Sequence, residues 1–261
     1  MNSFLRYKWD QWHSYFKNRV SLARYLASNF SRSGRKQLNN EFRNRGLVAA
    51  TESGIQVPDS VRPEDLVEVF YSHIYDVPGF IPGQEDHIVD VGASIGDWAV
   101  YCAKIHPPMN IVAFEPLPDR IEVAREFAKL NHCEQKIDFM NFALSRSAGR
   151  VTTHVSGNMA NAMSTGRALE VEQRTLDSFR LECSILKIDV EGYEVDVLEG
   201  GIETIRAHHP RIILETHSKI LHQKCKDILE REGYRLVHHD VSRKCRELGF
   251  DRVQNVFFAP K

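Results

Sequence analysis

His87–Trp98, HIVDVGASIGDW, decides the reading of this chain. His87-Ile88-Val89 is a short apolar run rich in β-branched residues, the pattern of a buried strand. Asp90 follows at its end, and Gly92 and Gly96 complete an Asp-x-Gly-x-x-x-Gly turn with Ala93 and Ser94 between them. Trp98 then opens a helical pattern that runs to about Ile105. Strand, glycine turn and helix start together form the entrance of a nucleotide-binding βαβ unit. Gly92 is expected to let the backbone approach a ligand, since a Cβ would block the path. Gly96 is expected to let the helix start pack near the strand. The spacing differs from Gly-x-Gly-x-x-Gly, the pyrophosphate fingerprint, because an acid stands in place of its first glycine. A carboxylate there repels phosphate and suits a ligand carrying an ammonium group. The plainer alternative is a strand-to-helix turn that serves packing alone.

The same alternation of strands and helices extends in both directions. Asn110–Pro116 reads as a second strand ending at Glu115, followed by a helix over Asp119–Asn131. Ile137–Leu144 reads as a third strand, with Asn141 and Phe142 near its end. Gly149–Val155 and Leu169–Arg174 alternate like a hairpin around the small polar loop Ser156–Arg167, which is either a lid or a plain surface excursion. Ser184–Val190 is the fourth strand, where Lys187, Asp189 and Glu191 alternate and would share a face while the chain stays extended. A helix over Tyr193–Arg206, a strand over Arg211–Leu214 ending in Glu215-Thr216-His217, a helix over Ile220–Glu232 and two closing strands, Tyr234–His238 and Val253–Ala259, complete the series. The fold expected is a doubly wound, Rossmann-like α/β domain with a mostly parallel seven-stranded sheet. Ligands in such sheets bind at the carboxyl ends of the strands, where Asp90, Glu115, Asp189, Glu215 and His217 all fall.

The N-terminal part is different in kind. Residues 1–47 hold ten Lys and Arg against Asp10 and Glu41, a surplus of +8, although the whole chain has a net charge of only -1. The near-neutral total excludes a bulk polyanion binder, and the rest of the chain is correspondingly acidic. Leu5, Trp9, Trp12, Phe16, Val20, Ala23, Ala27 and Phe30 form one stripe at helical spacing. Such a helix docks on its own domain or a second subunit, lies on an anionic membrane surface, or contacts nucleic acid. The last ranks third because no recognition motif accompanies the charge, and an organelle-targeting peptide is the weaker alternative after it. Residues 31–60 read as a polar linker, which divides the chain into a basic helical extension, 1–60, and a catalytic-type domain, 61–261, beginning with a helix over Glu64–Tyr75. Five scattered cysteines without a Cys-x-x-Cys pair read as reduced thiols. No apolar run reaches the roughly 18 residues of a membrane span, and no signal-peptide core is present. The expected location is cytoplasmic, with peripheral membrane attachment if residues 1–30 lie on a surface.

The segments VDVGASIGDWA (89–99), AFEP (113–116), NFALS (141–145), RTLDSF (174–179), LKIDVEGYEVDVLEGG (186–201) and ILETH (213–217) resemble the FkbM-type family of S-adenosylmethionine-dependent methyltransferases. The resemblance covers residues 87–217 and does not reach the N-terminal helices. It implies O-methylation of a hydroxyl on a sugar, lipid or other small molecule, with S-adenosylmethionine as cofactor. This cofactor carries the ammonium group anticipated above and a sulfonium. By the family pattern Asp90, Gly92, Ala93, Ser94 and Gly96 frame its methionine end. Glu115 takes the ribose, Asn141 and Phe142 neighbour the adenine, and Asp189 sits near the transferred methyl. A hydroxyl acceptor must lose its proton as it attacks, and His217 is the first candidate base, with Asp189 second. A metal held by Asp189, Glu191, Glu215 and His217 is the weaker alternative, and no metal is expected. The competing functions are a methyltransferase-like adaptor that binds a membrane or partner through its basic helix, a nicotinamide-dependent oxidoreductase, which the missing glycine fingerprint disfavours, and a nucleic-acid methyltransferase, which lacks an Asn/Asp-Pro-Pro-Tyr-type segment.

Overall fold

The computed structural model describes residues 44–108, 110–155, 167–240 and 254–261. The helix expected over residues 1–30, most of the 156–167 loop and the link between the last two strands fall outside these residues. The strands are β1 (His87–Val91), β2 (Asn110–Phe114), β3 (Ile137–Met140), β4 (Ala143–Leu144), β5 (Gly149–Val155), β6 (Arg167–Arg174), β7 (Ile185–Ile188), β8 (Arg211–Thr216), β9 (Tyr234–Asp240) and β10 (Gln254–Pro260). Seven of them form the main sheet in the order β3-β2-β1-β7-β8-β10-β9. All neighbours are parallel except β10, which runs antiparallel between β8 and β9. This is the expected doubly wound sheet. The order reverses between β1 and β7, so the strand ends there open into a crevice.

Strand periodicity sorts the sheet's side chains into two layers. Ile88, Ile111, Ile137, Ile185, Ile213 and Phe257 pack on one face, while Val89, Val112, Leu186, Ile212, Leu214 and Phe258 pack on the other. The first face is covered by α2 (Asp97–Ile105) and α3 (Pro118–Leu130). The second is covered by α4 (Glu194–Glu199), α5 (Ile202–His208) and α6 (Lys219–Arg231). The described cysteines Cys102, Cys133, Cys183 and Cys225 are buried and free. Among the described residues no helix is long and apolar enough to cross a membrane.

Four expectations change. Residues 44–60 are packed structure and not a linker: 44–52 form a helix, α1, and Ala50 and Ile55 are buried in the first layer. A Cβ on Gly46 would lie 2.6 Å from the Leu66 carbonyl carbon, so α1 crosses the following segment at backbone contact. Asn131 at the end of α3 bonds both the N–H and the C=O of Gln56, at 2.9 and 2.7 Å. The polar composition of this stretch hid its few anchoring residues. Second, the helix expected over Glu64–Tyr75 is a 3-10 turn, Pro63–Leu66, passing into a π turn, Val67–Tyr71, that still buries Leu66, Val69 and Phe70. Ile74 lies beyond it.

Third, the expected strand Ile137–Leu144 divides at Asn141, and β4 joins β6 and β5 in a separate three-stranded sheet. The β5–β6 hairpin itself is as expected, although Arg167 belongs to β6 and not to the loop. Fourth, the single helix over Tyr193–Arg206 is broken at Gly200-Gly201. A Cβ on Gly200 would lie 2.1 Å from the Ser145 carbonyl oxygen, so backbone contact with the segment after β4 requires glycine there. The restarted helix α5 has no side-chain cap at Gly201. Asp177 caps it from another element, accepting from Thr204 N (2.8 Å), Thr204 Oγ1 (2.7 Å) and Glu203 N (3.2 Å). Asp177→Ala is expected to cost about 1–2 kcal/mol in urea unfolding, the size of a lost helix cap. A change below a few tenths would show that water replaces the cap.

Candidate active site

The glycine turn is built as a crossing of backbones. Gly92, Ser94 and Gly96 have φ of 84°, 52° and 74°, the left-handed region. The N–H groups of Gly92 and Ala93 both donate to the Phe114 carbonyl (2.9 Å each), which folds the turn over the end of β2. A Cβ on Gly92 would stand 1.8 Å from the Asp189 carbonyl oxygen. The neighbour that excludes a side chain at Gly92 is therefore the end of β7, and not a ligand as the sequence suggested. A Cβ on Gly96 would meet Ala124 Cβ at 2.9 Å and the Phe139 ring at 3.1 Å. Gly96 accordingly lets the start of α2 sit against α3 and β3.

Asp90 is wholly buried, and its partner is Lys187 Nζ at 3.0 Å. Their residues are register neighbours on β1 and β7 and point to the same face. Lys187 Nζ also lies 5.3 Å from the Tyr75 ring centre, 5.7 Å from that of Trp98, and 3.9 Å from Asp189 Oδ2. The first ammonium group at Asp90 is thus the chain's own. Burial opposes the charge on Lys187, but Asp90 and Asp189 overcome it and hold its pKa above the ordinary range.

Glu115 closes the β2 side. Its Oε2 accepts from Ser94 N and its Oε1 from Leu117 N, both at 2.9 Å. Burial pushes its pKa up to about 7 against these two hydrogen bonds and Arg120. Arg120 Nη1 donates to Ser94 Oγ at 3.0 Å. Asn141 Nδ2 donates to the Glu115 carbonyl at 2.9 Å, which keeps it beside this strand end. The Phe142 ring is engaged by Phe179, 5.5 Å between centres, and by the Arg174 guanidinium at 5.2 Å.

Across the crevice, Asp189 and Glu191 beyond β7 meet Glu215 on β8 and His217 just past it. Glu191 arrives through a turn, not through strand alternation, with φ of 51° at Glu191 and 109° at Gly192. His217 Nε2 lies 3.2 Å from Glu191 Oε2, 3.6 Å from Glu215 Oε1 and 4.0 Å from Asp189 Oδ1. Its Nδ1 lies 2.6 Å from Glu194 Oε1, which also accepts from Gly192 N at 2.8 Å. Burial alone would lower the His217 pKa; the Glu194 hydrogen bond and the charges of Glu191, Glu194 and Asp189 outweigh it and raise it. Glu215 is held well above the usual carboxylate range, first by burial and then by Asp189.

The methyltransferase FkbM domain matches residues 90–236, more than half of the chain. This chain belongs to the FkbM methyltransferase family. The methyltransferase sdnD of Sordaria araneosa is 26% identical over 230 residues, covering 72% of this chain and 86% of that relative. The hexuronic acid methyltransferase AglP of Haloferax volcanii is 25% identical over 147 residues, covering 52% and 58%. A crystal structure of an FkbM methyltransferase from Methylobacillus flagellatus KT aligns with a TM-score of 0.47 at 15% identity, covering 81% of this chain and 59% of that one. The chain therefore spans little more than half the length of the last two.

This FkbM methyltransferase brings Gly92, Ala93, Ser94 and Glu115 together at the ends of β1 and β2 and Asp189, Glu215 and His217 together at the ends of β7 and β8, while Asp90 lies buried against Lys187 and Gly96 against α3 and β3. Sequence reasoning missed Glu194. The signal was there: Glu194 precedes Val197 and Leu198 by three and four residues, which places an acid on the apolar stripe of a helix. It also missed Tyr75 and Trp98 as the walls around Lys187, which no local pattern announces.

Proposed function

We propose that this FkbM methyltransferase moves a methyl group from S-adenosylmethionine to a hydroxyl oxygen of a small molecule, a sugar or sugar-like acceptor being the best fit. One observation carries the reading. The buried Glu115 carboxylate stands on one side of the glycine turn and a carboxylate–imidazole cluster on the other, with the reversal of strand order between them. Glu115 would accept from the ribose hydroxyls, which is supported by each of its oxygens spending only one acceptor site on the backbone. Ser94, Gly92 and Ala93 would line the methionine end, and Asn141 and Phe142 the adenine. The excess of carboxylates suits a cofactor that carries an ammonium and a sulfonium. The AglP relative, named for a hexuronic acid, supports a sugar-like acceptor.

In the reaction the acceptor oxygen forms a bond to the methyl carbon as the carbon–sulfur bond breaks, and the electron pair of that bond stays on sulfur. The enzyme's main task is alignment and exclusion of water. The hydroxyl proton leaves toward the cluster of Asp189, Glu215 and His217. His217→Ala is expected to leave cofactor affinity intact and to slow turnover on the order of 100-fold, the low end of proton-transfer effects. Unchanged turnover would remove His217 from the mechanism.

Calorimetry with S-adenosylmethionine tests the reading directly. Micromolar binding that weakens at least about tenfold, or 1.4 kcal/mol, in Glu115→Gln is the expected result. No binding at millimolar cofactor would overturn the reading. Binding would be followed by a screen of hydroxylated acceptors, sugars and sugar acids first.

A further inference from the structure

We propose that Asp189, Glu215 and His217 hold a divalent cation of the Mg²⁺/Mn²⁺ class, on which the acceptor's hydroxyl is bound and polarised. The proposal rests on the reading of this crevice as the methyl-transfer site and deepens it. One ligand atom from each residue lies within 4.8 Å of the other two. Ligand atoms in an octahedral shell of about 2.1 Å radius stand roughly 3 Å apart, so small side-chain movements close the set. Two carboxylates and one imidazole suit a hard or borderline divalent ion and leave positions free for water and acceptor oxygens.

Two features distinguish this set from a chance cluster of acids. Glu215 is only 9% exposed, yet among the described residues its carboxylate accepts no hydrogen bond, and its nearest partner is His217 Nε2 at 3.6 Å. A buried carboxylate in that state is costly, and either a proton or a cation relieves it. Asp189 divides its oxygens, with Oδ2 toward Lys187 at 3.9 Å and Oδ1 toward His217 at 4.0 Å, so one oxygen stays available. His217 is oriented for the task. Its Nδ1 is tied at 2.6 Å to Glu194, a fully buried carboxylate, which turns Nε2 toward the exposed Glu191 at 3.2 Å and, behind it, Glu215 at 3.6 Å and Asp189 at 4.0 Å. Histidine ligands of metals are commonly oriented by a carboxylate on the other ring nitrogen.

The chemistry balances without a redox partner. The cation stabilises the acceptor as an alkoxide, the proton passes through the exposed Glu191 carboxylate to water, and the alkoxide oxygen takes the methyl. His217 is then a ligand rather than the base. Glu194 is a positioning residue that acts through the imidazole.

The test uses the full chain after treatment with a chelator. Titration with Mn²⁺, with free Mn²⁺ followed by electron paramagnetic resonance, is expected to show one site that Mg²⁺ displaces. Glu215→Gln and His217→Gln are each expected to weaken that site at least about tenfold, or 1.4 kcal/mol. Asp189→Asn serves as a third variant if either of these fails to fold by circular dichroism. S-adenosylmethionine calorimetry with and without chelator separates the two readings. Cofactor binding that survives the chelator while no Mn²⁺ site is found at millimolar ion overturns the cation and leaves the methyltransferase reading standing. An Mn²⁺ site of equal strength in the folded variants overturns it as well.

Discussion

Gly92→Ala is expected to destabilise the fold by roughly 4 kcal/mol, combining left-handed backbone strain and overpacking of about 1–3 kcal/mol each. The residue has φ of 84°, which a Cβ disfavours. More serious is the place where the Cβ would go, 1.8 Å from the Asp189 carbonyl oxygen. That oxygen belongs to backbone fixed on its other side by the Asp189 N–H, which donates to the Val91 carbonyl at 2.9 Å. Neither partner is the end of a flexible side chain, so relief requires β1 and β7 to part at their carboxyl ends. Asp90, Asp189 and the turn would move together, and cofactor binding should be lost with stability. Urea unfolding followed by circular dichroism measures the effect. A loss below about 1 kcal/mol, the typical size for a point substitution, would mean that the crossing is looser than the geometry indicates.

Lys187→Met should cost about 3–5 kcal/mol, the penalty for leaving one member of a buried pair without its partner. Methionine replaces most of the volume between the Tyr75 and Trp98 rings but supplies no charge to Asp90. The Asp90 carboxylate, fully buried with Oδ2 already lacking a hydrogen-bond partner, would then have burial and the charge of Asp189 acting on it with no cation to oppose them. Burial raises its pKa, and Lys187 is the principal opposing influence. In the variant the folded pKa therefore rises further above the unfolded value of about 3.9. Between those two values the folded state binds more protons than the unfolded state, so stability must fall as pH rises from about 4. The Lys187→Met variant should thus be most stable in mild acid and lose stability toward neutrality. Adding Asp90→Asn removes the charge and should recover part of the loss and most of the added pH dependence. Denaturant midpoints at several pH values decide the matter. An unchanged pH profile would show that Asp90 is solvated once Lys187 is gone.

The two substitutions probe what reading the sequence left open. The run His87-Ile88-Val89 and the turn after it were legible because strand period, glycine and acid are all local signals. Glu115 was legible for the same reason, since it ends a β-branched run at a fixed place in the βαβ unit. His217 was placed at a strand end by the apolar run Ile212-Ile213-Leu214. Two segments differ from the reading of their periodicity, for opposite reasons. Residues 44–60 look like linker because the residues that hold them, among them Gly46, Ala50, Ile55 and Gln56, are spaced without a sustained period. The Gly200-Gly201 break was in plain view, but apolar residues continued in helical register on both sides, and the period outweighed the breakers.

Sequence by itself determined the layers of this protein: which residues form strands, which helical faces point inward, and which acids stand at the carboxyl ends. Those follow from hydrophobic periodicity and turn chemistry, both short-ranged. Only the tertiary structure decided what those acids meet. Asp90 faces Lys187 because β1 and β7, nearly a hundred residues apart in the chain, are register neighbours on one face. Gly92 must lack a side chain because the end of β7 crosses it. His217 is turned by Glu194 because α4 packs its apolar stripe against the second layer and carries the acid in with it. Each of these depends on strand order and register, which arise from the packing of distant segments and leave no periodic trace in the segments themselves.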